Sequence, residues 1–256
     1  MNILESLEHY SKKNHALVGI GIDGSGSFTS KEIIKTSIEH ATRLGYAEVK
    51  PYVSAAELVG ALKSGEIECA VRGNLSAKEV INKLRSVFKI SSTCRAALIC
   101  TDERHCFFLA PVGIDEGIFI DERLEFIKLI DPILQDLGVI PKFSIISGGR
   151  SGEDLGRSGI VDESLHAGEK LCALAKDAGF DVEHNGILIE DAYKSANAII
   201  APNGIVGNLL FRTLYFLGNC RSFGAPILNL DKVFIDTSRG KKDYTDAIML
   251  GSALSG

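Results

Sequence analysis

Several things are missing from this sequence. No apolar run approaches the roughly 18 residues that a membrane-crossing helix requires, and the N-terminal MNILESLEHYSKKN is charged and amphipathic, unlike a signal peptide. A cytoplasmic protein with no membrane partner is the expectation. No basic run occurs; the nearest is Arg239-Gly240-Lys241-Lys242, and the net charge is −5. That balance disfavours nucleic acid as a partner but leaves room for a local basic pocket that holds an anion. The six cysteines, at 69, 94, 100, 106, 172 and 220, contain no CxxC pair. This argues against a zinc site or a disulfide framework and for reduced thiols. Cys94, Cys100 and Cys106 recur every six residues in apolar, strand-like surroundings and read as buried small hydrophobes. No metal site, internal repeat or low-complexity segment stands out.

What is present is an ordinary globular composition, 45% hydrophobic and 24% charged over 256 residues, enough for one large or two small domains. Strand-like and helix-like segments alternate, which argues for an α/β protein with a mainly parallel sheet. Strands are expected at Ala16–Ile22, Glu48–Val53, Ile67–Val71 and Lys142–Ile146. A strand pair at Ala96–Thr101 and His105–Pro111 surrounds a turn at Asp102-Glu103-Arg104. Helices are expected at Lys31–Leu44, capped by Thr29 or Ser30, and at Ser54–Ser64, Ala77–Phe88, Glu122–Leu137 and Asp162–Gly179. Pro132 is expected to kink or restart its helix. Asn185–Glu190 reads as extended and Ala192–Ser195 as a turn.

Gly19 to Gly24 spell G-x-G-x-x-G, the form of a dinucleotide fingerprint. The helix does not follow directly, however, and the second strand carries no acid at its end to take a ribose hydroxyl. A strand-to-helix loop fits better, with Asp23 either touching a ligand or organising the turn.

The most informative stretch runs from Ala196 to Gly240. Ala198–Ala201 is a short apolar strand, Pro202-Asn203-Gly204 breaks it, and Gly207-Asn208 opens a helical pattern. A helix N-terminus behind glycines favours anions. A second strand, Val233–Ile235, ends in Asp236-Thr237-Ser238-Arg239-Gly240, where a hydroxyl stands beside a guanidinium. Such a pair can hold a phosphate or a developing oxyanion. Ser147-Gly148-Gly149-Arg150-Ser151-Gly152 is another candidate anion loop.

These two motifs, in this order, resemble the phosphate acetyl/butyryltransferase superfamily; within it the chain looks most like the methanogenesis-associated, methyltransferase-related MtxX group. The resemblance implies two α/β domains with mainly parallel sheets flanking a cleft, the phosphotransacetylase and isocitrate-dehydrogenase-like architecture. It implies a discontinuous first domain, 1–115 with 225–256, and a second domain over 116–224. It implies a homodimer, to which the apolar Leu209–Gly218 helix adds support.

The implied chemistry is acyl transfer between phosphate and a coenzyme A thiol, with coenzyme A as substrate and no tightly bound cofactor. It needs a base, a donor to the acyl oxygen and cations for phosphate. The motif match proposes Asp246 as base, Ser238 as donor, and Arg239 with Arg85 as the phosphate clamp. Asp243 could exchange roles with Asp246, because one residue is inserted after Ser-Arg-Gly; for both, helix capping is the structural alternative. Arg72 and Arg95 compete with Arg85. Ser147, Arg150, Asn203, Gly204 and Asn208 complete the expected contacts to a small anionic substrate. The competing expectation is a protein of one-carbon metabolism working beside a methyltransferase partner, or a non-catalytic anion binder. No cobalamin motif and no paired Cys/His ligand spacing is present. A metal-dependent decarboxylating dehydrogenase of similar architecture would need clustered aspartates and a nucleotide loop, and the sequence offers neither convincingly.

Overall fold

The computed structural model describes residues 2–25, 27–101 and 105–256; the turn expected at 102–104 lies outside the described residues. The chain divides into two compact units. One, the terminal unit, comprises Leu4–Thr93 and Ser222–Gly256. The other, the central unit, comprises Cys94–Arg221 and the N-terminal residues up to Ile3. The chain therefore leaves the terminal unit and returns to it. The change-over between the units falls at 93/94, ahead of the strand pair.

The terminal unit is built on β1 (Leu17–Gly21), β2 (Glu48–Tyr52), β3 (Cys69–Val71), β9 (Arg221–Pro226) and β10 (Val233–Asp236), in the order β2-β1-β3-β10-β9. The first four are parallel and β9 runs antiparallel to β10. β3 is buried throughout, as an inner parallel strand should be. Its helices are α1 (Ile3–Asn14), α2 (Phe28–Arg43), α3 (Ala55–Ser64), α4 (Ala77–Phe88) and α9 (Thr245–Ala253). Leu58, Leu62, Ile67, Ala70, Val80, Leu84 and Phe234 form one packed cluster. Helix boundaries follow local chemistry. Ser54 caps α3 by accepting the Glu57 N–H, and Gly65 closes it at φ +78°. Ser27, not Thr29 or Ser30, caps α2, because its hydroxyl accepts the Ser30 N–H and the helix starts three residues earlier than Lys31.

The central unit has β4 (Ala97–Cys100), β5 (Cys106–Ala110), β6 (Phe143–Ile146), β7 (Val182–Gly186) and β8 (Ala198–Ile200), in the order β4-β5-β8-β6-β7. Only β4 is antiparallel to its neighbour. Its helices are α5 (Ile120–Asp136), α6 (Gly159–Asp177), α7 (Ile189–Ser195) and α8 (Gly204–Arg212), the last continuing into a π-helical turn at Thr213–Leu217. α5 runs unbroken through Pro132. Residues 192–195, expected as a turn, are the end of α7. The thiols expected to be free include one bonded pair: Cys100 and Cys106 face each other in the β4–β5 register and form a disulfide. Hairpin pairing brings the two side chains together, which a spacing of six alone does not reveal. Cys69, Cys94, Cys172 and Cys220 are not in disulfides. No described helix is long and apolar enough to cross a membrane.

Candidate functional site

In the terminal unit, the C-terminal ends of β1, β3 and β10 lie side by side, since all three strands are parallel and adjacent. In such sheets this is the edge where ligands bind. The segments beyond it are Ile22–Ser25, Arg72–Leu75 and Thr237–Gly240. They are tied together by close backbone approach. Gly73, at φ +61°, comes so near β1 that a Cβ there would stand 1.9 Å from the Gly21 carbonyl oxygen. The Asp23 N–H donates to Asn74 Oδ1 at 2.6 Å, and the Thr237 hydroxyl donates to the Gly73 carbonyl at 2.8 Å.

Ser238 and Arg239 project from this frame. The Ser238 hydroxyl oxygen accepts the Gly240 N–H at 3.2 Å, which leaves its proton for an outside acceptor. The Arg239 side chain is exposed, and its Nε donates to the Leu75 carbonyl at 3.4 Å. Asp23 feels the same guanidinium. Its carboxyl is held below the usual range first by the Ser25 hydroxyl and N–H, with smaller contributions from the charges of Arg239 and Lys31. The segment then folds back: the Lys241 N–H and the Tyr244 hydroxyl both donate to the Ser238 carbonyl at 3.2 Å. That return starts α9 beside Ser238, with Asp246 partly buried in its first turn.

Asp243 is engaged differently. Its Oδ1 accepts the Thr245 N–H at 2.8 Å, the Thr245 hydroxyl at 2.6 Å and the Ser37 hydroxyl at 3.1 Å. Burial pushes its carboxyl up, but these bonds and the Lys241 charge together hold it below its ordinary value. Asp243 thus ties the start of α9 to Ser37 and Thr245. A depressed carboxyl contributes stability that is present above its unfolded value, near ~3.9, and is lost as pH falls through the folded value. Asp243→Asn should therefore flatten the acid limb of the stability curve. Urea midpoints measured from neutral pH down through the carboxylate range check this; an unchanged acid limb would remove Asp243 from that role.

Arg85 lies in the last turn of α4, about 13 Å along the axis from the Ser76 cap that follows Leu75. Arg72, at the end of β3, is the cation the structure sets next to Arg239: its Nη1 donates to the same Leu75 carbonyl at 2.7 Å. The sequence offers a signal for this. A charged residue closing a fully buried strand must find partners.

The remaining expected residues belong to the central unit. The Ser147 hydroxyl lies 2.8 Å from His184 Nε2, with Ser147 itself buried. Burial lowers the His184 pKa, opposed only by the Glu169 charge, so the ring is neutral at neutral pH. In the glycine loop, the Gly148 N–H goes to Ser164 and the Arg150 N–H to Asp154, and the Arg150 guanidinium is half exposed beside Glu153. At the start of α8, the Gly204 N–H donates to the Glu116 carbonyl at 2.8 Å and Asn203 Oδ1 accepts the Val206 N–H. Asn208 Nδ2 donates to the Val112 carbonyl at 2.8 Å. Asn203, Gly204 and Asn208 thus dock α8 onto the 112–116 turn. Arg95 is paired there as well, with Glu116 at 2.6 Å and Asp115 at 3.1 Å.

Among the described residues no group of three or more His, Cys, Asp or Glu side chains is arranged to hold a metal ion. Burial pushes the thiols of Cys69 and Cys94 up to about 12, so neither is a thiolate at neutral pH.

The strand orders and the edge carrying Ser238 and Arg239 define an α/β fold of the phosphotransacylase type. A branched-chain phosphotransacylase from Enterococcus faecalis superposes with a TM-score of 0.72 over 93% of this chain and 99% of its own, at 13% identity. The EutD phosphotransacetylase of Staphylococcus aureus gives 0.66 over 98% and 99%, at 15% identity. No protein-family model matches the chain. A Methanosarcina mazei protein described as "Putative methyltransferase mtx subunit X" is 40% identical over 99% of this chain and 95% of its own length. The chain belongs to the mtx subunit X family.

Proposed function

We propose that this protein binds a phosphoryl anion at Ser238 and Arg239 and transfers an acyl group between phosphate and a coenzyme A thiol. The observation that carries this reading is the hydroxyl–guanidinium pair at the C-terminal end of β10, its side chains open to an outside acceptor. In the proposed reaction Asp246 takes the thiol proton. The thiolate sulfur attacks the acyl carbon, Ser238 donates to the acyl oxygen as negative charge develops there, and the C–O bond to phosphate breaks. Arg239 holds the departing phosphate, and the reverse direction uses the same groups. Coenzyme A enters as substrate, with no tightly bound cofactor. An assay of acetyl-CoA with phosphate, and of acetyl phosphate with coenzyme A, tests the reaction; turnover in both directions is expected. Phosphate binding without turnover on any acyl group would favour the second reading, a non-catalytic anion-binding protein beside a methyltransferase. The name carried by its relatives supports that reading.

A homodimer is part of the proposal. Within the central unit, α8 and its π-helical turn expose Ile205 (57%), Leu209 (61%) and Leu217 (79%), while only Gly204 and Gly207 of α8 are buried. An apolar helix left this open fits an isologous interface with a second copy. Light scattering should give twice the chain mass at micromolar concentration; a monomeric mass across that range would contradict it.

A further inference from the structure

Building on the phosphate-binding reading above, the geometry points to Arg72 as a second cation of the same site, and to a phosphoryl dianion, not a planar carboxylate, as the group it takes. Arg72 is 5% exposed. Its Nε pairs with Asp236 and its Nη1 with the Leu75 carbonyl, so the guanidinium plane is fixed from two sides. Asp236 is fixed in turn by the Thr237 N–H at 2.9 Å. These bonds engage Nε and Nη1 and leave the Nη2 edge for another acceptor. Arg239 reaches the same Leu75 carbonyl, so nitrogens of both guanidinium groups stand within 3.4 Å of one oxygen.

Two guanidinium groups held this close repel unless an anion lies against them. Asp236 balances Arg72, and Asp23 lies in the field of Arg239 and Lys31. A carboxylate offers two oxygens in one plane and satisfies one guanidinium fork. A phosphoryl group offers three terminal oxygens in a pyramid, enough for the forks of both Arg72 and Arg239 at once, while the Ser238 proton stays available to the acyl oxygen. Arg239 lies on the exposed side with one hydrogen bond, whereas Arg72 is buried and held from two sides, so Arg72 supplies the orientation.

Calorimetric titration with inorganic phosphate, across its second ionisation and with acetate as the planar comparison, tests the assignment. Wild-type affinity should climb as the dianion forms and exceed that for acetate. Arg72→Lys should weaken phosphate binding about 10- to 100-fold, the worth of a hydrogen bond to a charged group. The double variant Arg72→Gln/Asp236→Asn, which removes both charges of the pair together, should also flatten the climb with pH. Folded variants that bind phosphate as wild type does, with the same pH profile, would overturn the role of Arg72 while leaving Arg239 in place. Wild-type crystals soaked in phosphate decide the matter without a variant. A phosphate oxygen within hydrogen-bond reach of Arg72 Nη2 supports it, and phosphate held by Ser238 and Arg239 with Arg72 out of reach overturns it. Wild-type protein that binds no phosphate refutes the parent reading and this one with it.

Discussion

Asp246→Asn should lower acyl turnover by about 10²–10⁴ and leave phosphate affinity within a few-fold of wild type. The expected size is that of a lost general base. The split between turnover and affinity follows from the proposed roles, Asp246 acting on the thiol proton and Arg239 holding phosphate. The substitution is nearly isosteric and sits in the first turn of α9, so its structural cost is that of removing one charge from a helix N-terminus, about 0.3–1 kcal/mol. Asp243→Asn has the opposite emphasis, since Asp243 is bonded to Ser37 and Thr245. Steady-state kinetics in both directions, with phosphate titrations on the same samples, separate the two acids. Equal losses of turnover from both variants, or a loss in Asp246→Asn that tracks melting temperature, would remove Asp246 as the base.

Gly204→Ala should destabilise the protein by about 3 kcal/mol or more, a fall in melting temperature of about 6–12 °C. A Cβ on Gly204 would stand 1.5 Å from the Gly113 carbonyl oxygen, and backbone cannot give way as a flexible side chain can. Gly207 is as confined, 1.9 Å from the Pro111 carbonyl oxygen. These glycines let α8 lie directly on the backbone of the 111–116 segment. The same substitution at Gly60, inside α3 with nothing within 4 Å, should be stabilising by about 0.5–1 kcal/mol. Thermal melts of the two variants should therefore move in opposite directions. A neutral Gly204→Ala would mean that α8 is not packed as described.

The contrast between those glycines and Ser238–Arg239 shows what was legible in the sequence. The position of the Ser-Arg pair at the end of β10 could be read because a strand pattern directly precedes it. The Asn203–Asn208 segment has an equally suggestive pattern, glycines ahead of a helix. Its N–H groups are taken by Glu116 and Asn203, and its glycines answer to Pro111 and Gly113. Those partners lie far back in the chain, so the pattern alone cannot tell an anion loop from a packing seam. Arg72 was legible as a competitor of Arg85, but its neighbourhood was not, because that depends on Leu75 and Asp236 being brought together by β3–β10 pairing. The repeating αβ order was readable from periodicity. β9 and the Cys100–Cys106 bridge were not, since each is defined by antiparallel partners that periodicity does not supply.

The most direct test of the account is a calorimetric titration of inorganic phosphate into wild-type protein and Arg239→Ala at near-neutral pH and low salt. Wild type should saturate at one phosphate per chain, and Arg239→Ala should lose at least about tenfold in affinity, the value of a charge-assisted pair, with an unchanged melting temperature in the absence of phosphate. No saturable binding by wild type, or equal affinity in the two proteins, would contradict a phosphoryl site at the end of β10.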